Sequence, residues 1–449
     1  MHKADLHHSN LSLQSKLEEI FQLRRTKTAV NWDYENYLDL LAHFGNPHKN
    51  LPPVIHVAGT NGKGSIIAMM RSVCEAAGLR VHACTSPHLT HVNERIVLVG
   101  REIGDNKLES LIDDALAHVG DKPLSFFEII SAVAFKAFSE VSADIFLLEV
   151  GMGGRLDCTN VIDNPMVSII SRISMDHMQF LGDTIEEIAA QKAGIIRPRV
   201  PCVVGHQGGG EQGNAVLNVV QQEAQQKDAP LFVSGQDFLV SHDAAKMCFS
   251  CSGESFYYPL PALVGEHQIL NAGVVLMALR QMKVQGIGVP EAAISEGLQS
   301  CEWPGRLQRV SDQWPGGAGE HEIWLDCGHN DSAGEALAEQ MERWSDDGRS
   351  TFLIVGMLKS KDSKGFLAPL QENVSEIYVV PISTDPSSQS AEHVRKALGG
   401  SIDVSAYKNF IEAVEETMDA ALSPVRILIA GSVYLAGDVL SFISGSESR

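Results

Sequence analysis

The sequence predicts an α/β protein: an N-terminal domain on a parallel sheet of the P-loop ATPase type, then a smaller C-terminal Rossmann-like α/β domain. Three observations carry that prediction. From Pro53 to Arg197, apolar strand-like runs alternate with amphipathic helical patterns, and strands apolar throughout imply a parallel sheet covered on both faces. A glycine-rich stretch, "HVAGTNGKGS", lies between the first such strand and the first such helix, the order that turns backbone N–H groups toward an anion. The alternation breaks near "SCEWPGRLQRV", where Trp303-Pro304-Gly305 punctuates the chain, and restarts beyond it.

In order, "VIHVA" reads as a buried strand, and Ile66, Met70, Val73 and Ala77 then recur at helical spacing with Gly78 as the stop. "RVHACTS", "DIFLLEVG" and "MVSIISR" read as strands, and "FFEIISAVAFKAFSEV" and "TIEEIAAQKAGII" as helices. "GHQGGGEQGN" reads as a loop, "LFVSG" and "FSCSGESFYY" as a small β excursion, and "NAGVVLMALRQM" as a helix. Beyond the break, "EIWLDCGHN", "STFLIVGM", "EIYVVPIS" and "RILIAGSVYL" read as strands with helices between. This divides the chain into residues 1–299 and 300–449.

A chain of 449 residues is too long for one core and suits two or three domains. Its formal net charge of -21 argues against nucleic acid and anionic membrane as partners, so an anionic substrate must meet a local positive site. The eight cysteines are scattered except for Cys248 and Cys251. Their stretch alternates like a strand and lacks a second pair, so buried thiols are expected rather than a zinc site. That usage, a polar N-terminus without an apolar signal region, and the lack of any apolar run near 18 residues (roughly a membrane span) suggest a cytoplasmic protein.

The glycine stretch fails the spacing G-x-x-x-x-G-K-[ST]: Gly59 is too close to Gly62, and Gly64 separates Lys63 from Ser65. Lys63 is nonetheless suited to terminal phosphates and Ser65 to a phosphate or metal ion, against the alternative of a plain turn with a solvated lysine. Glu149 ends an apolar strand at the edge where open α/β sheets place ligands, and its hard oxygens suit Mg²⁺. By pattern alone Lys192 is a surface lysine, His177 an ordinary exposed or structural histidine, and Arg306 a loop arginine. Phe126 and Phe127 offer a flat apolar surface for a ring, or simply core.

"AGTNGKGS", with its extra glycine, resembles the ATP loop of the folate branch of the Mur ligase superfamily, dihydrofolate synthase/folylpolyglutamate synthase. The resemblance runs on through "TSPHL", "NERI", "SFFEI", "EVGMGGRLDCTN", "SMDHMQFLG", "KAGIIRP", "HQILNA", "WPGRLQ", "LDCGHN" and "GSVYLAG". It implies an ATP-dependent ligase that activates a substrate carboxylate as an acyl phosphate, which the amine of L-glutamate then attacks. It places Thr60, Asn61, Gly62, Lys63, Gly64, Ser65, Asn271, Arg306 and Asp326 on ATP. Ser65, Ser86 and Glu149 would hold one Mg²⁺ and His177 a second, with a monovalent cation as a further possible cofactor. Lys63, Lys192, His177 and Arg306 form the implied catalytic set, with Lys192 carbamylated. Ser125, Phe126, Phe127, Glu128, Leu156, Asp157 and Cys158 would line the pteroate pocket, and His329 and Ser432 the glutamate site. The implied partners are small molecules only (dihydropteroate or folate, L-glutamate and ATP), and the implied state is a monomer.

The sequence departs from the family pattern in places. Trp32, Asp33 and Tyr34 replace a glycine-leucine turn on the pteroate side, Cys158 replaces a common alanine, Asp331 a proline, and Ser360 an aspartate. The first departure leaves open a folylpolyglutamate synthase alone, beside the bifunctional reading. Another Mur-type amino-acid ligase is a further alternative. A nucleotide switch fits poorly, since "NKLE" at 106–109 ends in the wrong residue for a guanine-reading motif.

Overall fold

A computed structural model describes residues 6, 8–23, 34–383, 385–400 and 402–445. Trp32 and Asp33 lie outside the described residues. The chain forms two compact units, one of residues 6–262 with 268–302 and one of residues 263–267 with 303–449.

The first unit is built on eight strands: β1 (Val54–Ala58), β2 (Val81–Cys84), β3 (Ile96–Leu98), β4 (Arg101–Glu102), β5 (Ile145–Glu149), β6 (Val167–Ile170), β7 (Cys202–Val204) and β8 (Leu231–Val233). They lie in the order β4-β3-β2-β5-β1-β6-β7-β8. The strands from β2 through β8 pair in parallel, while β3 and β4 form an antiparallel edge. Every residue of β1, β5 and β6 is buried, as expected of strands covered on both faces. One covering layer comprises the helices Leu11–Leu23, Tyr34–His43, Asp105–Val119 and Phe126–Ser139, whose apolar sides merge into one core.

Two sequence expectations need correction here. The stretch "LFVSG" is not part of a separate β excursion, because Leu231–Val233 adds in parallel to β7 and closes the main sheet. The loop expected through "GHQGGGEQGN" ends early, since a helix runs Gly210–Gln226. Its glycine at position 213 is required for packing: a Cβ there would lie 2.6 Å from the Gly208 carbonyl oxygen. The true excursion is the antiparallel sheet β9 (Phe238–His242), β10 (Lys246–Cys251) and β11 (Glu254–Pro259). Cys248 and Cys251 both belong to β10, and both are free thiols.

The second unit carries β12 (Gln308–Arg309), β13 (Glu322–Leu325), β14 (Thr351–Val355), β15 (Glu376–Val379), β16 (Val404–Ala406) and β17 (Arg426–Ala430), in the order β12-β13-β17-β14-β15-β16. All its neighbours pair in parallel except the edge pair β12–β13. The expected strand "RILIAGSVYL" stops at Ala430, and Ser432 caps a helix over Val433–Ile443 by accepting from the Tyr434 N–H. No described helix is long and apolar enough to cross a membrane.

Candidate active site

The glycine stretch turns from the carboxyl end of β1 into the helix Lys63–Ala76. Gly59 has φ +144, and a Cβ there would sit 1.8 Å from Ser171 Oγ; Gly62 has φ +89. Both conformations disfavour any residue with a side chain. The loop is braced from the segment that follows β6: the N–H groups of Thr60 and Asn61 both donate to the Arg172 carbonyl, at 2.8 and 3.1 Å. Thr60 Oγ1 also donates to the Ser174 carbonyl and accepts from its N–H, each at 3.1 Å. Gly64 and Ser65 are buried in the first helical turn.

Four predicted residues, Lys63, Glu149, Ser86 and Asn271, come together at this loop. Lys63 Nζ lies 3.6 Å from Glu149 Oε1, and Glu149 Oε2 accepts from the Ser86 N–H at 2.9 Å. Glu149 is the last residue of β5, next to β1, so sheet order alone delivers its carboxylate to the loop. Asn271, from the helix Glu266–Val284, reaches the same loop at Gly62.

Lys192 overturns its pattern-based reading as a surface residue. Its side chain is buried, and Nζ donates to the Gly59 carbonyl at 2.9 Å. Burial, with help from the neighbouring Lys63 charge, lowers its pKa from 10.5 to about 7, while Asp176 and Asp157 pull the other way. His177 is exposed, sits in the left-handed region at φ 52, and has Nε2 3.8 Å from Asp176 Oδ2.

Several residues expected on the acceptor side have structural duties. Ser125 and Glu128 form a reciprocal capping box on the helix Phe126–Ser139. Phe126 is core, whereas Phe127 and Leu156 are half-buried. Asp157 is fully enclosed: its carboxylate accepts from the Met152 and Thr159 N–H groups and from the Thr159 hydroxyl. Burial pushes its pKa up against those hydrogen bonds. The Cys158 thiol donates to Ser131 Oγ at 3.2 Å and is pushed well up by burial. Tyr34 donates its hydroxyl to the Asp157 carbonyl at 2.6 Å.

In the second unit, the Asp326 carboxylate accepts from the Leu307 and Gly328 N–H groups, at 2.9 and 2.6 Å. It thereby fixes the turn that carries half-buried Arg306. His329 is half-buried, with Nδ1 2.9 Å from the Cys327 carbonyl, and Ser432 is a buried helix cap.

Sequence reasoning missed Arg172, Ser174 and Gln268. Gln268 Nε2 donates to Ser65 Oγ at 3.2 Å. Its three-residue spacing from Asn271, on one face of a helix, is the signal that finds it.

For a divalent cation, the oxygen donors Glu149, Ser86 and Ser65 suit a hard ion. No group of three or more His, Cys, Asp or Glu side chains gathers among the described residues. Magnesium binds through one or two carboxylates together with water and phosphate oxygens.

The Mur ligase middle domain matches residues 57–279, and the Mur ligase glutamate ligase domain matches residues 305–433. The dihydrofolate synthase/folylpolyglutamate synthase of Escherichia coli is 33% identical over 405 residues, covering 89% of each chain. The protein of the same name from Bacillus subtilis is 32% identical over 438 residues, covering 92% of this chain and 96% of its own. The solved structure of E. coli FolC in complex with DHPP and ADP superposes with TM-score 0.84 at 31% identity, covering 97% of this chain and 98% of that one. A bifunctional folylpolyglutamate synthase/dihydrofolate synthase with Mn, AMPPNP and L-glutamate bound gives TM-score 0.80 at 28% identity, covering 94% and 96%. Fold and site together define an ATP-dependent ligase of the Mur class. Within that class, the chain belongs to the dihydrofolate synthase/folylpolyglutamate synthase family.

Proposed function

We propose that this protein joins L-glutamate to dihydropteroate and to the glutamate tails of folates, using ATP and passing through an acyl phosphate. The observation that carries the reading is the convergence of Lys63, Glu149 and the left-handed glycine loop at one sheet edge. A carboxylate attacking a triphosphate must overcome like-charge repulsion, so positioning and charge neutralisation are what the reaction needs. Lys63 supplies a mobile cation, since its present partner Glu149 is also the natural magnesium ligand. Ser86 and Ser65 complete that oxygen set, and His177 is assigned to a second ion. A magnesium ion held there would shield the phosphoryl oxygens during transfer. Asn271, Arg306 and Asp326 are assigned to the nucleotide and His329 and Ser432 to glutamate. Residues 1–299 thus serve ATP and the pterin acceptor, and residues 300–449 serve glutamate and add Arg306 and Asp326 to the nucleotide.

Lys192 is assigned a carbamate. At a pKa of about 7, much of the amine is neutral at physiological pH. Its lone pair then attacks carbon dioxide, an N–C bond forms, and a proton leaves to solvent. The product is an anion next to Lys63, where the present ammonium is repelled.

Phe127 and Tyr34 flank the Asp157 loop on the acceptor side. The protein is read as a cytoplasmic monomer acting on small molecules alone. Incubation with Mg-ATP and labelled glutamate tests the reading, with dihydropteroate, tetrahydrofolate or a muramyl peptide as acceptor. Label on both pterin acceptors with ADP release is expected. Label on tetrahydrofolate alone selects a folylpolyglutamate synthase, label on the muramyl peptide another Mur-type ligase, and no ligation at all defeats the proposal.

A further inference from the structure

Gln268 closes a polar ring at the flank of the phosphate loop. It lies in the first turn of the helix Glu266–Val284 and is 1% exposed. Its Nε2 donates to Ser65 Oγ at 3.2 Å, and its Oε1 accepts from Asn271 Nδ2 at 3.1 Å. Asn271 in turn lies against Gly62: a Cβ built on that glycine would sit 2.8 Å from Asn271 Oδ1. The ring therefore starts and ends on the loop, passing through Gly62, Asn271, Gln268 and Ser65.

We propose that Gln268 is a positioning residue for the nucleotide, acting through Ser65 and Asn271. A serine hydroxyl has one proton and two lone pairs. Because Ser65 accepts from Gln268, its own proton and its second lone pair stay available for a phosphate oxygen or a divalent cation. Both ends of the Gln268 carboxamide are engaged, so its orientation is defined and two flanking side chains are held in one geometry. A buried amide with both partners present rigidifies its surroundings, whereas a partly satisfied one does not. The inference rests on the ATP-dependent ligase reading.

The test measures binding of AMPPNP with magnesium to the full chain by calorimetry, together with KM for each substrate. Gln268→Met keeps the length and approximate volume of the side chain but makes neither hydrogen bond. It should weaken nucleotide binding about tenfold, the worth of roughly one well-formed hydrogen bond, and raise KM for ATP while leaving those for glutamate and the pterin acceptor within about twofold. Because Gln268 acts through Ser65 as well as Asn271, the double variant Ser65→Ala/Gln268→Met should lose clearly less than the product of the two single losses. Gln268→Glu still accepts from Asn271 but draws the Ser65 proton toward itself, so its loss should equal or exceed that of Gln268→Met, and unchanged KM values for glutamate and the acceptor in both variants mark the loss as local rather than a folding defect. Wild-type binding in either variant, penalties that multiply in the double variant, or a parallel rise of all three KM values overturns the inference. Absence of AMPPNP binding by the wild-type protein defeats the ligase reading itself.

Discussion

Lys63 and Glu149 meet at the carboxyl edge of the parallel sheet with Nζ 3.6 Å from Oε1, and the carboxylate side chain is only 5% exposed. Removing the cation therefore does two separable things. Lys63→Met leaves a buried carboxylate with the Ser86 N–H, which should cost about 1 to 3 kcal/mol of stability. It should also lower ligation at least about 100-fold, the scale for losing a group that stabilises developing charge. Adding Glu149→Gln should restore the urea midpoint without restoring activity. Ligation by Lys63→Met within a few-fold of wild type would remove Lys63 from the catalytic set.

Lys192 gives a prediction whose sign is set by burial. Its folded pKa of about 7 lies below the ordinary 10.5. Between those values the unfolded chain holds a proton that the folded chain lacks, so stability rises with pH through the window, and the penalty is fully present below pH 7. In decarbonated buffer, Lys192→Met should gain roughly 2 to 3 kcal/mol more over wild type at about pH 6 than at about pH 9. Denaturant melts at the two pH values measure this, and equal gains would contradict it. With ¹³C-bicarbonate, the wild-type protein should develop a carbamate resonance that Lys192→Met lacks.

What the sequence shows and what it hides follows from distance along the chain. The strand, glycine loop and helix at 54–76 are local patterns, and they fold as read. Glu149 was placed by its strand end alone, because β5 is apolar throughout and must be central. Lys192 was misread because its helix shows only its own periodicity, and the loop that covers it lies 133 residues away. Ser125 and Glu128 show a local signal instead: S-x-x-E is a helix-start signature in the sequence itself, and the cap it predicts is what both side chains make. Asp157 likewise caps the short helix that follows it.

His56 makes the protein acid-sensitive from within. The ring is fully enclosed in β1 with Nε2 3.0 Å from Thr159 Oγ1, and burial, aided by Arg197, lowers its pKa from 6.5 to about 3. Because the Thr159 hydroxyl donates to Asp157, Thr159 accepts from the ring, which is therefore neutral with its proton on Nε2. From pH 6.5 down to 3, the unfolded chain gains a proton that the folded chain refuses, so stability falls as pH falls. His56→Gln keeps a donor toward Thr159 and does not titrate. Its loss of stability from about pH 7 to pH 4 should be smaller than that of wild type by roughly 3 kcal/mol. Identical acid melts for the two proteins would show that this histidine carries no such linkage.

Tyr34 stands where the sequence leaves the family pattern, and its hydroxyl donates to the Asp157 carbonyl at 2.6 Å. Half-buried on the apolar core, it ties the start of the helix Tyr34–His43 to the loop expected to line the acceptor pocket. Tyr34→Phe keeps the ring packing and deletes only that tie. The Asp157 carboxylate keeps its own donors from Met152 and Thr159, so the loop should loosen rather than collapse. The expected result is a KM for the pterin acceptor raised about three- to tenfold, the effect of one neutral hydrogen bond, with KM for ATP unchanged because the phosphate loop is braced independently by Arg172 and Ser174. Steady-state kinetics with dihydropteroate and with tetrahydrofolate measure it. An ATP effect as large as the acceptor effect would mean that the tie supports the whole unit rather than the acceptor side.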